Sequence, residues 1–199
     1  MKADIILSGV GGQGIVSIAA TIAQAALDND LFIKQSEVHG MSQRGGAVYS
    51  HLRISDKPIA SDLIPMGSAD IIISVEPMES LRYLPWLKEE GWLVTNSTQF
   101  INIPDYPDLN LLHSEIEKFP NHILINADEI ARQVKSPRSS NIVMLGAASP
   151  FLEIPLENFE QAIKKIFGRK GEKIVELNFQ ALHAGREFSL THQKEKEIQ

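Results

Sequence analysis

The sequence contains no cysteine in its 199 residues. The chain itself therefore has no disulfide bond, no thiolate nucleophile, and no zinc or iron–sulfur site with cysteine ligands. If the protein takes part in redox chemistry, the metal must lie in another chain. No metal site is predicted in this one, because its histidines lack the spacing to carboxylates that metal ligands show.

Basic clusters, long apolar runs and internal repeats are also absent. A net charge of −6 without a Lys/Arg-rich stripe argues against a nucleic acid as the partner. No apolar run has the length of a signal or membrane-spanning segment, so we expect a cytoplasmic protein without a membrane partner. The length of 199 residues predicts a single domain, over 1–190, and the 43% hydrophobic and 22% charged residues are ordinary values for a globular protein. A charged, frayed tail is expected over 191–199.

A glycine-rich turn joins the first predicted strand to the first predicted helix. Its glycines fit the pattern G-x-G-x-x-G, which permits a tight turn and lets backbone N–H groups approach an anion. The N-terminus of the helix adds unpaired donors and a partial positive charge, which favour a phosphate or a carboxylate. Simple packing of the turn is the alternative. The predicted anion-binding residues are Gly9, Gly11, Gly12, Gln13 and Gly14.

Strand-like and helix-like segments alternate along the rest of the chain. The β-branched apolar run at 69–75 is typical of a central parallel strand that is covered on both faces. The alternation predicts one α/β domain with a Rossmann-like, doubly wound, mostly parallel sheet and helices on both faces. The predicted strands cover 4–7, 31–36, 47–54, 69–75, 92–96 and 123–126. The predicted helices cover 15–27, 77–87, 127–134, 139–148, 156–167 and 172–188.

A second glycine-rich segment, Ser-Glu-Val-His-Gly-Met-Ser-Gln-Arg-Gly-Gly at 36–46, follows the second predicted strand. Arg44 supplies a charged fork that suits a carboxylate or a phosphate, unless it only pairs with an acid. Glu37 lies about 20 residues past the turn, where dinucleotide folds place a ribose-binding acid. His39 is a candidate general base, with a histidine held by backbone hydrogen bonds as the alternative. The candidates are Glu37 and His39 for catalysis, and Gly40, Met41, Gln43, Arg44, Gly45 and Gly46 for binding.

Ligands of such sheets collect at the carboxyl ends of the strands. We therefore expect the glycine turn, the loop after Ser36 and the pair Glu76-Pro77 to lie at one edge of the sheet. Glu76 is included among the candidate binding residues for this reason. Asn96 and Asn141 are further candidates at a strand end and a helix start, with helix capping as the alternative.

Motifs of several enzyme classes are missing. None of the three tyrosines has a lysine four positions later, so the acid/base pair of a short-chain dehydrogenase is absent. The sequence also has no G-x-S-x-G, Walker A or H-E-x-x-H motif. The glycine turn thus lacks catalytic partners within its own chain, which indicates a subunit of a larger enzyme.

Four segments together resemble the gamma domain of the 2-oxoacid:ferredoxin oxidoreductases. They are 9–14, 36–46, 70–77 and 141–146, and the second is the most specific. The resemblance extends over nearly all of 4–188. It is closest to the family members that act on indolepyruvate.

The resemblance implies an oxidoreductase subunit that is inactive alone. Thiamine diphosphate and iron–sulfur clusters would lie in a larger partner subunit, and coenzyme A would be a co-substrate. The complex would convert an aryl pyruvate, coenzyme A and oxidised ferredoxin to an aryl-acetyl coenzyme A, carbon dioxide and reduced ferredoxin. The isolated chain could also form a homodimer. A regulatory nucleotide- or coenzyme-binding module and a small NAD-dependent reductase are the alternatives.

The resemblance also implies roles for the candidate residues. The turn residues Gly11 to Gly14 would offer donors to an anionic group such as a coenzyme A phosphate. Arg44 would anchor a substrate carboxylate or a phosphate, and Glu37 and His39 would shape a pocket that faces the partner subunit.

Overall fold

The computed structural model describes residues 1–40 and 45–198, without the side chains of His39 and 195–198. Within the described residues, six strands form one sheet and seven α-helices pack around it. The strands are β1 (Lys2–Val10), β2 (Phe32–His39), β3 (Ala47–Ser55), β4 (Ala69–Ser74), β5 (Leu87–Asn96) and β6 (His122–Ile125). The helices are α1 (Ile15–Leu27), α2 (Pro77–Arg82), α3 (Leu109–Glu117), α4 (Ala127–Gln133), α5 (Ser140–Ala148), α6 (Leu156–Phe167) and α7 (Glu172–Ile198).

The strand order in the sheet is β2-β3-β1-β4-β5-β6. The pairs β1–β4, β4–β5 and β5–β6 are parallel, whereas β3 runs antiparallel to both of its neighbours. The short connection between β2 and β3 explains this reversal, because parallel neighbours need a longer crossover. The predicted α/β fold with a mostly parallel sheet is confirmed.

Both faces of the sheet are covered. Ile5 and Leu7 of β1 pack into a large core with α1, α4, α5, α6 and α7, while Ile6 packs into a smaller core with α2 and α3. The alternation follows from the period of two along a strand. The β-branched run of β4 divides in the same way, with Ile72 facing the smaller core.

Helices α5 and α7 touch at the level of their backbones. A Cβ atom added to Gly146 would lie 2.0 Å from the carbonyl oxygen of Leu182, and one added to Gly185 would lie 2.0 Å from that of Val143. Only glycine leaves room for this approach. The contact holds α7 closely against α5.

The boundary between α2 and β5 differs from the prediction. The helix expected over 77–87 ends at Arg82, and a 3₁₀ turn at Leu84–Trp86 leads into β5 at Leu87. Pro85 explains the early end, since it lacks an N–H and disfavours a helical conformation in the residue before it. Strand β5 continues through Gly91 to Asn96.

Two helices differ from the sequence-based expectation. Helix α3 has no predicted counterpart, although Asp108 caps it by accepting hydrogen bonds from the N–H groups of Asn110 and Leu111. Helix α7 continues to Ile198, so the tail expected to be frayed over 191–199 is helical through that residue. Lysine, glutamate and glutamine form helices well, which explains the extension. The domain limit at 190 stays a prediction.

None of the helices in the described part of the chain is long and apolar enough to cross a bilayer.

Candidate functional site

The three segments expected at one edge of the sheet do meet there. The N–H of Gly11 in the glycine turn donates to the carbonyl oxygen of Gly46, at 2.9 Å. Val75, which precedes Glu76, accepts a hydrogen bond from the side chain of Gln13 at 3.4 Å. The glycine turn therefore contacts both the second glycine-rich loop and the start of α2.

Gln13 braces the glycine turn from within. Its side-chain Oε1 accepts from the N–H of Val10 at 2.8 Å. Its backbone N–H donates to the carbonyl oxygen of Val10 at 3.1 Å. Its side-chain amide is therefore engaged in the turn. The N–H groups of Gly12 and Gly14 have no protein acceptor among the described residues. These two groups are the donors that the turn can offer to an anion.

Gly14 has to be glycine for two reasons. Its φ of 86° lies in the left-handed region, and a Cβ atom there would lie 2.6 Å from Nδ2 of Asn141. Asn141 donates from Nδ2 to the carbonyl oxygen of Gly14 at 3.3 Å. Asn141 thus joins the N-termini of α1 and α5 instead of capping α5, whose N-cap residue is Ser139.

A cavity of about 770 Å³ opens between the N-termini of α1 and α5 and the start of α7. Three cations line it, Lys135, Arg138 and Lys170, and no carboxylate is among the described residues that line it. Gly12 and Gly14 lie in the same wall, so two helix N-termini and three positive side chains surround one space. Its volume is in the range of small-molecule sites. The cavity suits a ligand with several negative charges.

The loop before α5 is held in place by a buried hydrogen-bond network. Ser139 Oγ lies 2.7 Å from Ser136 Oγ and donates to Oδ1 of Asn178 at 3.1 Å. Asn178 in turn donates to the carbonyl oxygen of Ile174 at 2.7 Å. This network ties the loop that carries Arg138 to α7. The sequence analysis did not predict this loop as part of the site. The run Lys-Ser-Pro-Arg-Ser-Ser, which places two cations just before a helix, could have indicated it.

Glu76 is fully buried and acts as the N-cap of α2. Its Oε2 accepts from the N–H of Glu79 at 2.8 Å. Its Oε1 accepts from the N–H of Phe100 at 3.3 Å and from the hydroxyl of Tyr106. Burial and this carboxylate raise the pKa of Tyr106, so the phenol stays protonated as the donor. These contacts are those of a cap and an anchor.

Asn96 is also engaged within the protein. Its Nδ2 donates to Oδ2 of Asp128 at 2.9 Å, and its Oδ1 accepts from the N–H of Ala127 at 3.1 Å. It therefore fixes the start of α4 against the end of β5. For Asn96, this arrangement favours a role at the start of a helix, which was the alternative to ligand binding.

The second loop is described at its two ends. Glu37 is half-buried in β2 and accepts from Nε2 of Gln35 at 3.2 Å. The N–H of Gly40 donates to Ala47, and the carbonyl oxygen of Gly45 accepts from Asn102. The backbone of His39 ends β2. The remaining candidates, Met41, Gln43 and Arg44, lie outside the described residues.

A buried acid, Glu79, lies beneath this edge. Arg82 Nε is 3.2 Å from its Oε2, but that arginine is half exposed, and Oε1 has no hydrogen-bond partner within the described chain. Burial raises the pKa of Glu79 above its usual value, and the nearby Glu76 adds to the rise, whereas Arg82 opposes it. The charged form of Glu79 therefore costs folding free energy.

Substituting Glu79→Gln is expected to raise the free energy of unfolding at pH 7 by about 1 kcal/mol. Below the ordinary pKa of 4.5 the carboxyl of Glu79 is protonated in both the folded and the unfolded state, so its burial carries no charge penalty there. As the pH rises through 4.5, the carboxyl ionises first in the unfolded state and the folded state loses stability. This loss is complete once the pH exceeds the raised pKa of the folded state. Urea unfolding at pH 7 and pH 4 measures the difference, with the exposed Glu117→Gln as the control. A loss of stability at pH 7 would show that the ion pair with Arg82 outweighs the burial of charge.

The described residues contain no cluster of three or more His, Asp or Glu side chains that could hold a metal ion. The cations and the glycine N–H groups that line the cavity are the groups of this edge that suit an anion.

A family model described as Pyruvate ferredoxin/flavodoxin oxidoreductase matches residues 4–188. The chain belongs to this family. The indolepyruvate oxidoreductase subunit IorB of Archaeoglobus fulgidus is 37% identical over 194 residues, which cover 93% of this chain and 94% of the relative. The gamma subunit of a keto/oxoacid ferredoxin oxidoreductase from Geobacter sulfurreducens has a TM-score of 0.69 at 28% identity, over 95% of this chain and 99% of that one.

The fold also occurs as part of a longer chain. The 2-oxoglutarate:ferredoxin oxidoreductase from Magnetococcus marinus has a TM-score of 0.75 at 22% identity, over 96% of this chain and 31% of that chain. At this identity the similarity shows the fold alone. The resemblance inferred from the four sequence segments is confirmed, and the chain is a gamma-type small subunit of a 2-oxoacid:ferredoxin oxidoreductase.

Proposed function

We propose that this subunit brings an anion-binding cavity to a thiamine-diphosphate-dependent oxidoreductase that acts on aryl pyruvates. The complex would form an aryl-acetyl coenzyme A, carbon dioxide and reduced ferredoxin. The name of the Archaeoglobus relative, an indolepyruvate oxidoreductase subunit, supports the aryl substrate. The complex would work in the cytoplasm, with ferredoxin binding through it.

The cavity at the glycine turn carries the coenzyme A part of the proposal. Coenzyme A has a pyrophosphate and a 3′-phosphate, and the cavity offers Lys135, Arg138 and Lys170 without an opposing carboxylate among its described lining. The N–H groups of Gly12 and Gly14, which have no acceptor among the residues described, would hold one phosphate at the start of α1. Bound coenzyme A supplies the thiol that accepts the acyl group. The residues of this chain would bind and orient its charged end.

The larger partner subunit would hold the redox cofactors. Thiamine diphosphate and iron–sulfur clusters supply carbanion chemistry and electron transfer, and the absence of cysteine from this chain fits their location elsewhere. Glu37 and the backbone of His39 lie at the end of β2, at the same edge as the cavity, and Arg44 follows them in the sequence. They would face the partner's active site, where Arg44 would hold a carboxylate or a phosphate.

Substituting Ile101→Asp is expected to weaken assembly with the larger subunit by about tenfold or more, because it places a charge in the proposed interface where an apolar side chain would be buried on assembly. Ile101 is 65% exposed in the segment after β5, at the proposed partner-facing edge. Leu63→Asp is the matched control, since Leu63 is 56% exposed but precedes β4 at the opposite edge. Sedimentation or light scattering of the mixed subunits measures the change. If both substitutions weakened assembly equally, or if neither weakened it, the proposed orientation of this chain toward the larger subunit would be contradicted.

Affinity purification of the tagged chain from its native host tests the proposed function. The expected product is a brown complex that contains a larger subunit, iron, acid-labile sulfide and thiamine diphosphate, and that reduces a viologen dye when an aryl pyruvate and coenzyme A are added. A chain that elutes alone, or with a partner lacking clusters, would contradict the proposal and favour the regulatory module.

A further inference from the structure

The segment 97–108 between β5 and α3, here named the strap, crosses the functional edge of the sheet. It starts after β5, and its Asn102 reaches back to donate from Nδ2 to the carbonyl oxygen of Gly45, at 2.8 Å. Gly45 lies just before β3, and β4 and β1 separate β3 from β5 in the sheet. The strap therefore spans two strands before it contacts the second glycine-rich loop.

The strap is anchored to rigid parts of the fold. The fully buried carboxylate of Glu76 accepts hydrogen bonds from the N–H of Phe100 and the hydroxyl of Tyr106, on either side of Asn102. At the start of the strap, the carbonyl oxygen of Ser97 lies 2.9 Å from Nε2 of His113 in α3. The position of Asn102 is thus set by α2 and α3 together.

The second glycine-rich loop, whose Gly45 accepts the hydrogen bond from Asn102, is itself hydrogen-bonded to the glycine turn. The carbonyl oxygen of Gly46 accepts from the N–H of Gly11, and the N–H of Gly40 donates to Ala47, both at 2.9 Å. Asn102 holds the residue next to Gly46. Its own Oδ1 is buried and has no hydrogen-bond partner within the described part of the chain. Such an unsatisfied acceptor costs free energy, which is tolerated where the side chain is needed.

We infer that Asn102 is a positioning residue, which fixes the end of the second glycine-rich loop at Gly45 and Gly46 against the glycine turn by donating to Gly45. The inference rests on the proposed function, because the loop matters for activity only if its residues face the substrate. Asn102 acts on the loop through the hydrogen bond that its amide donates to Gly45. A side chain of the same shape that lacks this donor should therefore fail to hold the loop in place.

Two variants test this. Asn102→Ala removes the side chain, and Asn102→Asp keeps its shape but places an oxygen against the carbonyl oxygen of Gly45. In the full-length chain, amide hydrogen exchange at Gly11 and Gly40 is expected to quicken about fivefold in both variants, as for the loss of one hydrogen bond. In the complex, the KM for the 2-oxoacid is expected to rise about fivefold, with kcat changed less than about twofold.

Asn110→Ala is the matched control, because this exposed asparagine lies at the start of α3, beyond the strap. Wild-type exchange and KM are expected there. Unchanged exchange in both Asn102 variants, or normal behaviour of Asn102→Asp, would overturn the inference. Faster exchange with an unchanged KM would support the positioning role and contradict the proposed role of the loop, so the two failures are distinguishable.

Discussion

Substituting Gly146→Ala is expected to destabilise the protein by about 3 kcal/mol, the upper range for overpacking a core. The added methyl group would lie 2.0 Å from the carbonyl oxygen of Leu182 and 2.8 Å from its carbonyl carbon. Both are backbone atoms of α7, so no side chain can move aside to make room. Helices α5 and α7 would have to separate, and the cavity wall at the start of α5 would move with them. Urea unfolding of the full-length chain measures the loss.

Gly168→Ala is the control for this prediction. Gly168 follows α6 with a helical φ of −54°, and nothing lies within 4 Å of an added Cβ atom there. Its substitution is expected to leave stability unchanged or to raise it by up to about 1 kcal/mol, because alanine restricts the unfolded chain. If Gly146→Ala and Gly168→Ala had the same small effect, the close contact between α5 and α7 would be wrong.

The double substitution Arg138→Ala/Lys170→Ala is expected to raise the KM for coenzyme A about thirtyfold in the complex. Both side chains lie at the exposed mouth of the cavity, so each phosphate contact is worth about 1 kcal/mol, and two such contacts give about 2 kcal/mol. The effect should weaken as the salt concentration rises, because exposed charges are screened. The kcat should change little, since these residues bind the end of coenzyme A that does not react.

Lys57→Ala is the control for the loss of an exposed cation, because Lys57 is exposed after β3 at the opposite edge of the sheet. It is expected to leave the KM for coenzyme A unchanged. The KM for the 2-oxoacid should stay at the wild-type value in the double variant. An unchanged KM for coenzyme A in the double variant would show that the cavity does not hold its phosphates.

Much of the fold could be predicted because it depends on local patterns. Helix α6 has the predicted bounds 156–167, and β4 ends one residue before the predicted end, since amphipathic spacing and a β-branched run are strong signals. The boundary of α2 and β5 was wrong because Pro85 interrupts a stretch with helical spacing. The direction of β3 could also have been predicted, since the connection between the predicted second and third strands is too short for a parallel crossover.

The candidate site could be predicted only where it is made of backbone. The glycine turn was found because its glycines encode the conformation of the turn directly, as Gly14 shows. The cations of the cavity were missed, since they join the site only when α5 docks beside α1. That contact links Gly14 to Asn141, which are 127 positions apart. Glu76 and Asn96 were proposed as binding residues from their place at strand ends, but their buried contacts are those of caps and anchors.

The most direct test of the central claim is the rate of ferredoxin reduction by the purified larger subunit, with and without this chain, at a range of coenzyme A concentrations and with indolepyruvate as substrate. The account predicts that rapid reduction requires both the chain and coenzyme A. Equal rates and an equal KM for coenzyme A in the absence of this chain would contradict it.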